Sequence, residues 1–424
     1  MFLTENALDP TVFPSLLRLE TDVVRMVADL LGGDGDVVGH MTTGGTESNM
    51  LAVKTARDWA RATRPEIADP EIVLPVTAHA SFHKAAHYLG IRPIVVETNR
   101  RTFQVEPEVM GQAITPNTIL LVASAPNWSQ GVVDPVPEIA ALARERGILC
   151  HVDACVGGFY LPFLRRMGYP VPDFDFTVPG VTSISADLHK YSYAAKGAST
   201  ILYRSKELRR YQIFACAETT AYTIINPTML STKSGGPMAG AWAVLNYLGE
   251  EGFIHIVRTV HQATQRMIQG VNSIPELVVL GEPVMCIFSF TSDQINVFQL
   301  ADAMARRGWY IQPQPSTSVT PRSLHVSVHY GNAHQVDAFL HDLRESVEEV
   351  KQAAPVDTEN IRAMVNWALQ HPNPMEAFRQ LMETVGVKGT ELPEELALIN
   401  EILDILPDSL ADSLLVEYFN ELYV

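Results

Sequence analysis

Ser185-Ala186-Asp187-Leu188-His189-Lys190-Tyr191 is the stretch on which the reading of this chain turns. Residues 182–186 and 199–203 flank it as two apolar runs of strand length, so Lys190 falls on the connection between two buried strands. Most lysines are solvated surface residues. This one follows a histidine directly and is succeeded by Tyr191 and Tyr193. In a pocket, burial and nearby positive charge strip a lysine of its proton, and the free amine is then a nucleophile.

Upstream, the runs 72–76, 93–96, 118–124 and 148–153 read as buried strands, and 47–63, 80–89 and 135–147 between them as helices. Strands apolar on both faces and separated by helices point to an α/β fold with a mainly parallel central sheet. Leu16, Leu19, Val23, Met26, Val27 and Leu30 recur at helical spacing, and Gly32-Gly33 ends that helix. Residues 1–13 read as an extended arm whose end Pro10 and Pro14 mark. A helical pair, about 237–248 and 252–271, leads toward a smaller α+β domain. The expected division is an arm and first helix over 1–45, a large domain over 46–240, a small C-terminal domain over 241–352, and a helical appendage over 353–424.

A chain of 424 residues can bury a large core, and 47% apolar with 19% charged residues is the profile of a globular protein. The net charge of -17 repels nucleic acid and anionic membranes. One local pocket can still oppose that sign and take an anionic cofactor. Cys150, Cys155, Cys216 and Cys286 form neither a C-x-x-C pair nor a His/Cys cluster, so no metal is expected and a reducing, cytoplasmic setting is. The first ten residues lack the basic and apolar pattern of a signal peptide, and the most apolar long run, 147–163, contains His151 and Asp153. No integral membrane segment is expected.

Three further segments carry chemistry. Thr42-Thr43-Gly44-Gly45-Thr46-Glu47-Ser48-Asn49 stands where a loop enters a helix. Glycines let backbone approach an anion, and the N–H groups of a helix start bind phosphate. Taken alone, the same residues also read as a plain helix entry capped by Thr46, and no Gly-Lys-Ser/Thr follows to make a nucleotide loop. His151-Val152-Asp153-Ala154-Cys155 lies at the carboxyl end of a candidate central strand, where open α/β sheets bind ligands. An acid in apolar surroundings needs a cation or donors, and a protonated pyridine nitrogen would serve. Finally, His79 in Thr77-Ala78-His79-Ala80-Ser81 follows a strand and could stack on a planar ring.

In this order, the glycine-threonine loop, the His after a strand, His-x-Asp-Ala and the His-Lys pair resemble the fold type I enzymes of the group II decarboxylase family, which use pyridoxal 5′-phosphate (PLP). Within that group the sequence looks most like the sphingosine-1-phosphate lyases, over about residues 5 to 350. The lyase-like stretches include Ser124-Ala125-Pro126-Asn127-Trp128 and Asp153-Ala154-Cys155-Val156-Gly157-Gly158-Phe159. The resemblance implies a Schiff base between PLP and Lys190, Asp153 on the pyridine nitrogen, and His79 stacked on the ring. It implies Gly45, Thr46 and His189 at the phosphate. Thr232 stands where the lyases place a Ser that reaches the neighbouring subunit's cofactor, which implies a homodimer with shared sites. Asn6, Asp9, Tyr191, Tyr193 and Lys196 are implied at the substrate entrance.

The implied reaction is cleavage of an amino alcohol between Cα and Cβ, with an aldehyde released. The same electron sink would serve an amino-acid decarboxylase, and a silent scaffold would keep the fold without the chemistry. Three places depart from the lyase pattern, one of them Ala217-Glu218-Thr219-Thr220-Ala221, which replaces a Trp-containing, Gly-rich turn near the pocket. Asp9 replaces a His associated with the substrate phosphate, and a carboxylate there repels phosphate. Lys233 replaces an Arg, losing bidentate geometry.

Overall fold

The structure is a computed structural model that describes residues 2–9, 11–220, 222–387 and 389–423, so Pro10, the expected end of the arm, lies outside the described residues. The residues fall into two units, 1–262 with 281–286, and 263–280 with 287–424.

In the first unit, the strands are β1 (Val38–Thr42), β2 (Glu71–Pro75), β3 (Arg92–Val96), β4 (Thr118–Ser124), β5 (Leu149–Asp153), β6 (Ser183–Ala186) and β7 (Ser199–Tyr203). They form one sheet in the order β1-β7-β6-β5-β4-β2-β3. The pairs β2/β3, β2/β4, β4/β5 and β5/β6 are parallel. Strand β7 runs antiparallel to both of its neighbours, β6 and β1. Every residue of β4 and β5 is buried, as strands covered on both faces must be.

The helices α1 (Pro14–Leu30), α2 (Gly45–Thr63), α3 (Ser81–Leu89), α4 (Pro107–Ala113), α5 (Val136–Arg146) and α6 (Leu161–Arg166) cover the sheet. Val53, Ala56 and Ala60 of α2 pack with Phe82 and Ala85 of α3 over Ile72, Leu74 and Val122. Each such large aliphatic or aromatic side chain contributes on the order of 1.5–3 kcal/mol on leaving water. A two-stranded ribbon, β8 (Phe214–Cys216) with β9 (Ile224–Asn226), follows. The helix Gly235–Asn272 is interrupted at Gly249, whose φ of 55° no helix accommodates. That break matches the expected helical pair.

The second unit holds a four-stranded sheet, β10 (Val278–Val279), β11 (Ile287–Thr291), β12 (Gln312–Gln314) and β13 (Ser323–Ser327), in the order β10-β11-β13-β12. The helices Thr358–Gln370, Pro374–Thr384 and Ala397–Ile405 pack around Phe378, Leu381, Val365 and Ile402. Asp302 accepts the N–H groups of Leu396 and Ala397, both at 2.9 Å, and so caps the helix Ala397–Ile405. Arg322 binds the fully buried Glu401 at 2.6 Å.

One buried acid in the first unit links the fold to pH. Asp134 accepts the N–H groups of Ser124, at 2.8 Å, and Val105, at 3.4 Å, and so staples the segment 124–134 beside the end of β4. Burial pushes its carboxyl up to about 7, against the pull of those two donors. An unfolded chain ionises this group near pH ~4, so folding is unopposed by it below that pH and loses stability as pH rises toward 7. Asp134→Asn is therefore expected to remove part of the decline in stability between pH 4 and 7. Urea unfolding at pH 4.5 and pH 8 should show the native protein losing up to about 3 kcal/mol more than the variant. Parallel pH profiles for the two proteins would contradict this.

Candidate active site

The carboxyl ends of β4 and β5 open on a cavity of about 490 Å³ lined by Gly44, Gly45, Thr46, Asn49, His79, Ser124, Trp128, Asp153, Cys155, Asp187, His189 and Lys190 among others. Parallel strands aim their carboxyl ends, and the loops that follow, at one side of the sheet, which is why residues so far apart in sequence meet here.

Lys190 is held on the tight connection between β6 and β7. His189 donates its backbone N–H to Ala198, and Ala194 donates to Leu188, both at 3.0 Å. Tyr193 takes a left-handed φ of 60° and donates to the carbonyl of Lys190 at 3.1 Å. The Lys190 ammonium stands 2.9 Å from Asp187 Oδ2. Burial works to lower its pKa, but the carboxylate of Asp187, in contact at 2.9 Å, acts against that and the ammonium is held above the ordinary lysine value. The sequence-based expectation of a lysine deprotonated by positive neighbours is thus corrected: its neighbours are acids. Asp187 answers in kind. Burial alone would raise its carboxyl, yet the hydrogen bond from His189 and the charge of Lys190 keep it at about 2.

Asp153 ends β5 with its carboxylate toward the cavity. Its Oδ1 accepts the N–H of Cys155 at 3.0 Å, and its Oδ2 accepts Asn49 Nδ2 at 2.9 Å. His79 lies at the entry to α3, where Ser81 binds its Nδ1 through the hydroxyl at 2.9 Å and the backbone N–H at 3.1 Å.

The opposite wall is the start of α2. No side chain caps its first turn, so its first N–H groups point outward as an anion site. A Cβ on Gly45 would meet Cys155 Sγ at 2.6 Å and Asp187 Oδ2 at 2.9 Å, so only glycine leaves that cradle open. The Glu47 carboxylate, also at the cavity wall, is taken up by Thr43 N–H at 2.7 Å and Met229 N–H at 2.9 Å. An open anion cradle, a lysine and a buried carboxylate within one cavity fit a phosphorylated aldehyde with a basic ring nitrogen, which is the chemistry of PLP.

Gly45, Thr46, His79, Asp153, His189 and Lys190 therefore share one cavity, whereas Asn6, Asp9, Tyr191, Tyr193, Lys196 and Thr232 do not line it. Tyr191 is buried edge-on against Tyr160 and Tyr193, with ring centroids 5.8 and 6.5 Å away. Lys196 donates to the carbonyl of His189 at 3.1 Å. Asp9 folds onto Thr11, whose hydroxyl at 2.7 Å and N–H at 2.8 Å hold its carboxyl below the usual range. Thr232 is exposed. The arm is joined to its segment, with Ala7 N–H donating to Lys233 O and Gly235 N–H to Glu5 O, both at 2.9 Å. Lys233 itself is buried against Glu20 at 2.7 Å and Met41 O at 3.0 Å, which explains how a lysine serves there without a bidentate fork.

Residues 3–292 match the family described as "Pyridoxal-dependent decarboxylase conserved domain". The chain belongs to this family. Its members are PLP-dependent, in keeping with the cavity. Residues 359–421 match a second description, "Pyridoxal-dependent enzyme, C-terminal putative HTH domain". Sphingosine-1-phosphate lyase of Arabidopsis thaliana is 41% identical over 83% of this chain and 64% of its own length. A protein of Pyrococcus abyssi named "Probable L-aspartate decarboxylase" is 33% identical over 81% of this chain and 86% of its own. Among solved structures, sphingosine-1-phosphate lyase of Burkholderia pseudomallei superposes with a TM-score of 0.80 at 36% identity, covering 87% of this chain and 84% of that one. The chain spans about two thirds of the length of the plant lyases it matches, 64% and 65%.

Sequence reasoning passed over two residues of the pyridoxal-dependent site, Asn49 and Asp187. Both lay inside quoted motifs, and the signal available was a polar residue placed among residues that must be buried.

Proposed function

We propose that this chain is a PLP-dependent carbon–carbon lyase that cleaves an amino alcohol, of the phosphorylated class for which its lyase relatives are named, and releases an aldehyde. The observation that carries the reading is the convergence of Lys190, Asp153, His79 and the Gly45 cradle on one cavity, in a chain 41% identical to a sphingosine-1-phosphate lyase. PLP, when bound, supplies an electron sink that weakens the bonds at the substrate's Cα.

The chain's own groups do the rest. Gly45 and Thr46, with His189 alongside, receive the phosphate at the start of α2. Asp153 would hold a proton on the ring nitrogen, and His79 would pack against the ring. Lys190 would hold the cofactor's aldehyde covalently, and Asp187, at 2.9 Å, is placed to hold the Lys190 side chain as an ammonium whenever it is free.

We infer a cytoplasmic homodimer with shared sites. The arm around Asn6 is backbone-bonded to the segment that follows Thr232, through Ala7 to Lys233 and Gly235 to Glu5, and Asn6, Asp9 and Thr232 do not line their own chain's cavity, which supports their serving a partner's site. Tyr191, Tyr193 and Lys196 follow Lys190 on its loop, and we assign them to the substrate entrance. Among the described residues, no helix is long and apolar enough to cross a membrane. The C-terminal segment 353–424 carries thirteen Asp and Glu against three Lys and Arg, a charge that opposes contact with a nucleic-acid backbone.

The 33% identity to a protein named for aspartate decarboxylation supports a second reading, loss of carbon dioxide from an amino acid. The intact Lys190, Asp153 and His79 in one cavity speak against a silent scaffold. Incubation of the PLP-loaded protein with sphingosine 1-phosphate, and separately with L-aspartate, separates the active readings. Aldehyde without carbon dioxide is expected; carbon dioxide from the amino acid with no aldehyde from the amino alcohol would overturn the lyase reading.

A further inference from the structure

Asn49 projects from the second turn of α2 into the space beneath the cavity, fully buried and with every polar atom engaged. Its Nδ2 donates to Asp153 Oδ2 and to Ser81 Oγ, both at 2.9 Å. Its Oδ1 accepts the Ser185 hydroxyl at 2.8 Å and faces His151 Nε2 at 3.2 Å. The amide cannot be reversed, because its oxygen would then oppose the carboxylate of Asp153.

The remaining protons follow from that one orientation. Burial pushes the His151 imidazole down to about 4, against the charge of Asp153, so the ring is neutral. Its Nε2 must donate to Asn49 Oδ1, and its Nδ1 then accepts the Ser183 hydroxyl at 2.9 Å. On the other side, Ser81 Oγ accepts from Asn49, so its own proton goes to His79 Nδ1, which the Ser81 N–H also addresses. His79 thus carries its proton on Nε2. Asp153 accepts Asn49 Nδ2 on one oxygen, at 2.9 Å, and the N–H of Cys155 on the other, at 3.0 Å, and these two donors fix the plane of its carboxyl group.

We propose that Asn49 is the positioning residue that fixes Asp153 as an oriented carboxylate and His79 as the Nε2–H tautomer, through one hydrogen-bond relay running His151–Asn49–Ser81–His79. A single side chain thereby couples the group assigned to the edge of the cofactor ring with the group assigned to its face. This rests on the reading of Asp153 and His79 as ring contacts.

The test uses full-length protein loaded with PLP labelled with ¹⁵N at the ring nitrogen. Asn49→Leu removes every donor and acceptor; Asn49→Ser removes the donor to Asp153 but leaves room for water, so its fold is kept even where the leucine form fails. In the native protein the ¹⁵N shift should report a protonated ring nitrogen throughout pH 6–9. In Asn49→Ser the nitrogen should lose its proton within that range, and kcat should fall about tenfold to a hundredfold with KM unchanged, the worth of one hydrogen bond to a charged group. A ring nitrogen in Asn49→Ser that stays protonated across the range, with native kcat, overturns the role of Asn49 alone. A native protein that fails to hold PLP on Lys190 overturns the site reading and this proposal together.

Discussion

Replacing Lys190 with alanine should abolish the visible absorbance of the PLP-loaded protein and lower turnover roughly ten-thousandfold or more, the scale on which loss of a covalent nucleophile acts. The argument starts from geometry. Among the described residues Lys190 is the only lysine lining the cavity, on a loop tied by His189 to Ala198 and by Ala194 to Leu188, so no other described lysine is placed to stand in. Its ammonium is neutralised by Asp187 at 2.9 Å, and alanine leaves that buried carboxylate without its nearest cation. The variant should still fold and still take up PLP weakly, because the Gly45 cradle and Asp153 are untouched. Absorbance, equilibrium dialysis of PLP and steady-state turnover check this, and turnover within tenfold of native would refute Lys190 as the nucleophile.

The second large effect belongs to Asp153. Asp153→Asn keeps the shape of the side chain and one of the two hydrogen bonds from Cys155 and Asn49, since only one of its two end atoms accepts, and it removes the negative charge. In an enclosed cavity, a fixed charge aimed at a developing one is worth about 3–4 kcal/mol, so kcat should fall on the order of a hundredfold to a thousandfold. The covalent link to Lys190 does not depend on that charge and should persist, leaving the coloured protein nearly intact and KM little altered. Native kcat in this variant would contradict the assignment of Asp153 to the ring nitrogen.

Much of the fold was legible because its central strands are buried on both faces. The runs 118–124 and 148–153 are uninterrupted apolar stretches, and β4 and β5 occupy them. Strand β1 escaped notice for a definite reason. Gly39 and His40 break its apolar pattern, and Gly39 is there because a Cβ would lie 2.3 Å from the carbonyl of Ile201 on β7. A close approach between neighbouring strands leaves no periodic signature. The short helices α4 and α6 are likewise too brief for a 3.6-residue repeat to show.

The site divides along the same line. Residues whose identity is itself unusual, such as a lysine after a histidine or an acid ending an apolar strand, announce themselves. Asn49 and Asp187 do not, because an amide in a helix and an acid after a strand ordinarily face water. Their burial is decided by partners far away in sequence: Ser81, Asp153 and Ser185 for Asn49, and the Gly45 turn for Asp187. The same blindness explains the inverted expectation for the charge on Lys190. A sequence shows that a lysine is enclosed, but only the fold shows which sign of charge it meets.

Borohydride reduction of the PLP-loaded protein, followed by proteolysis and mass spectrometry, tests the central claim most directly. A pyridoxyl group on the peptide that contains Lys190, and on no other, is the expected result. A labelled protein whose Lys190 peptide is unmodified would contradict it.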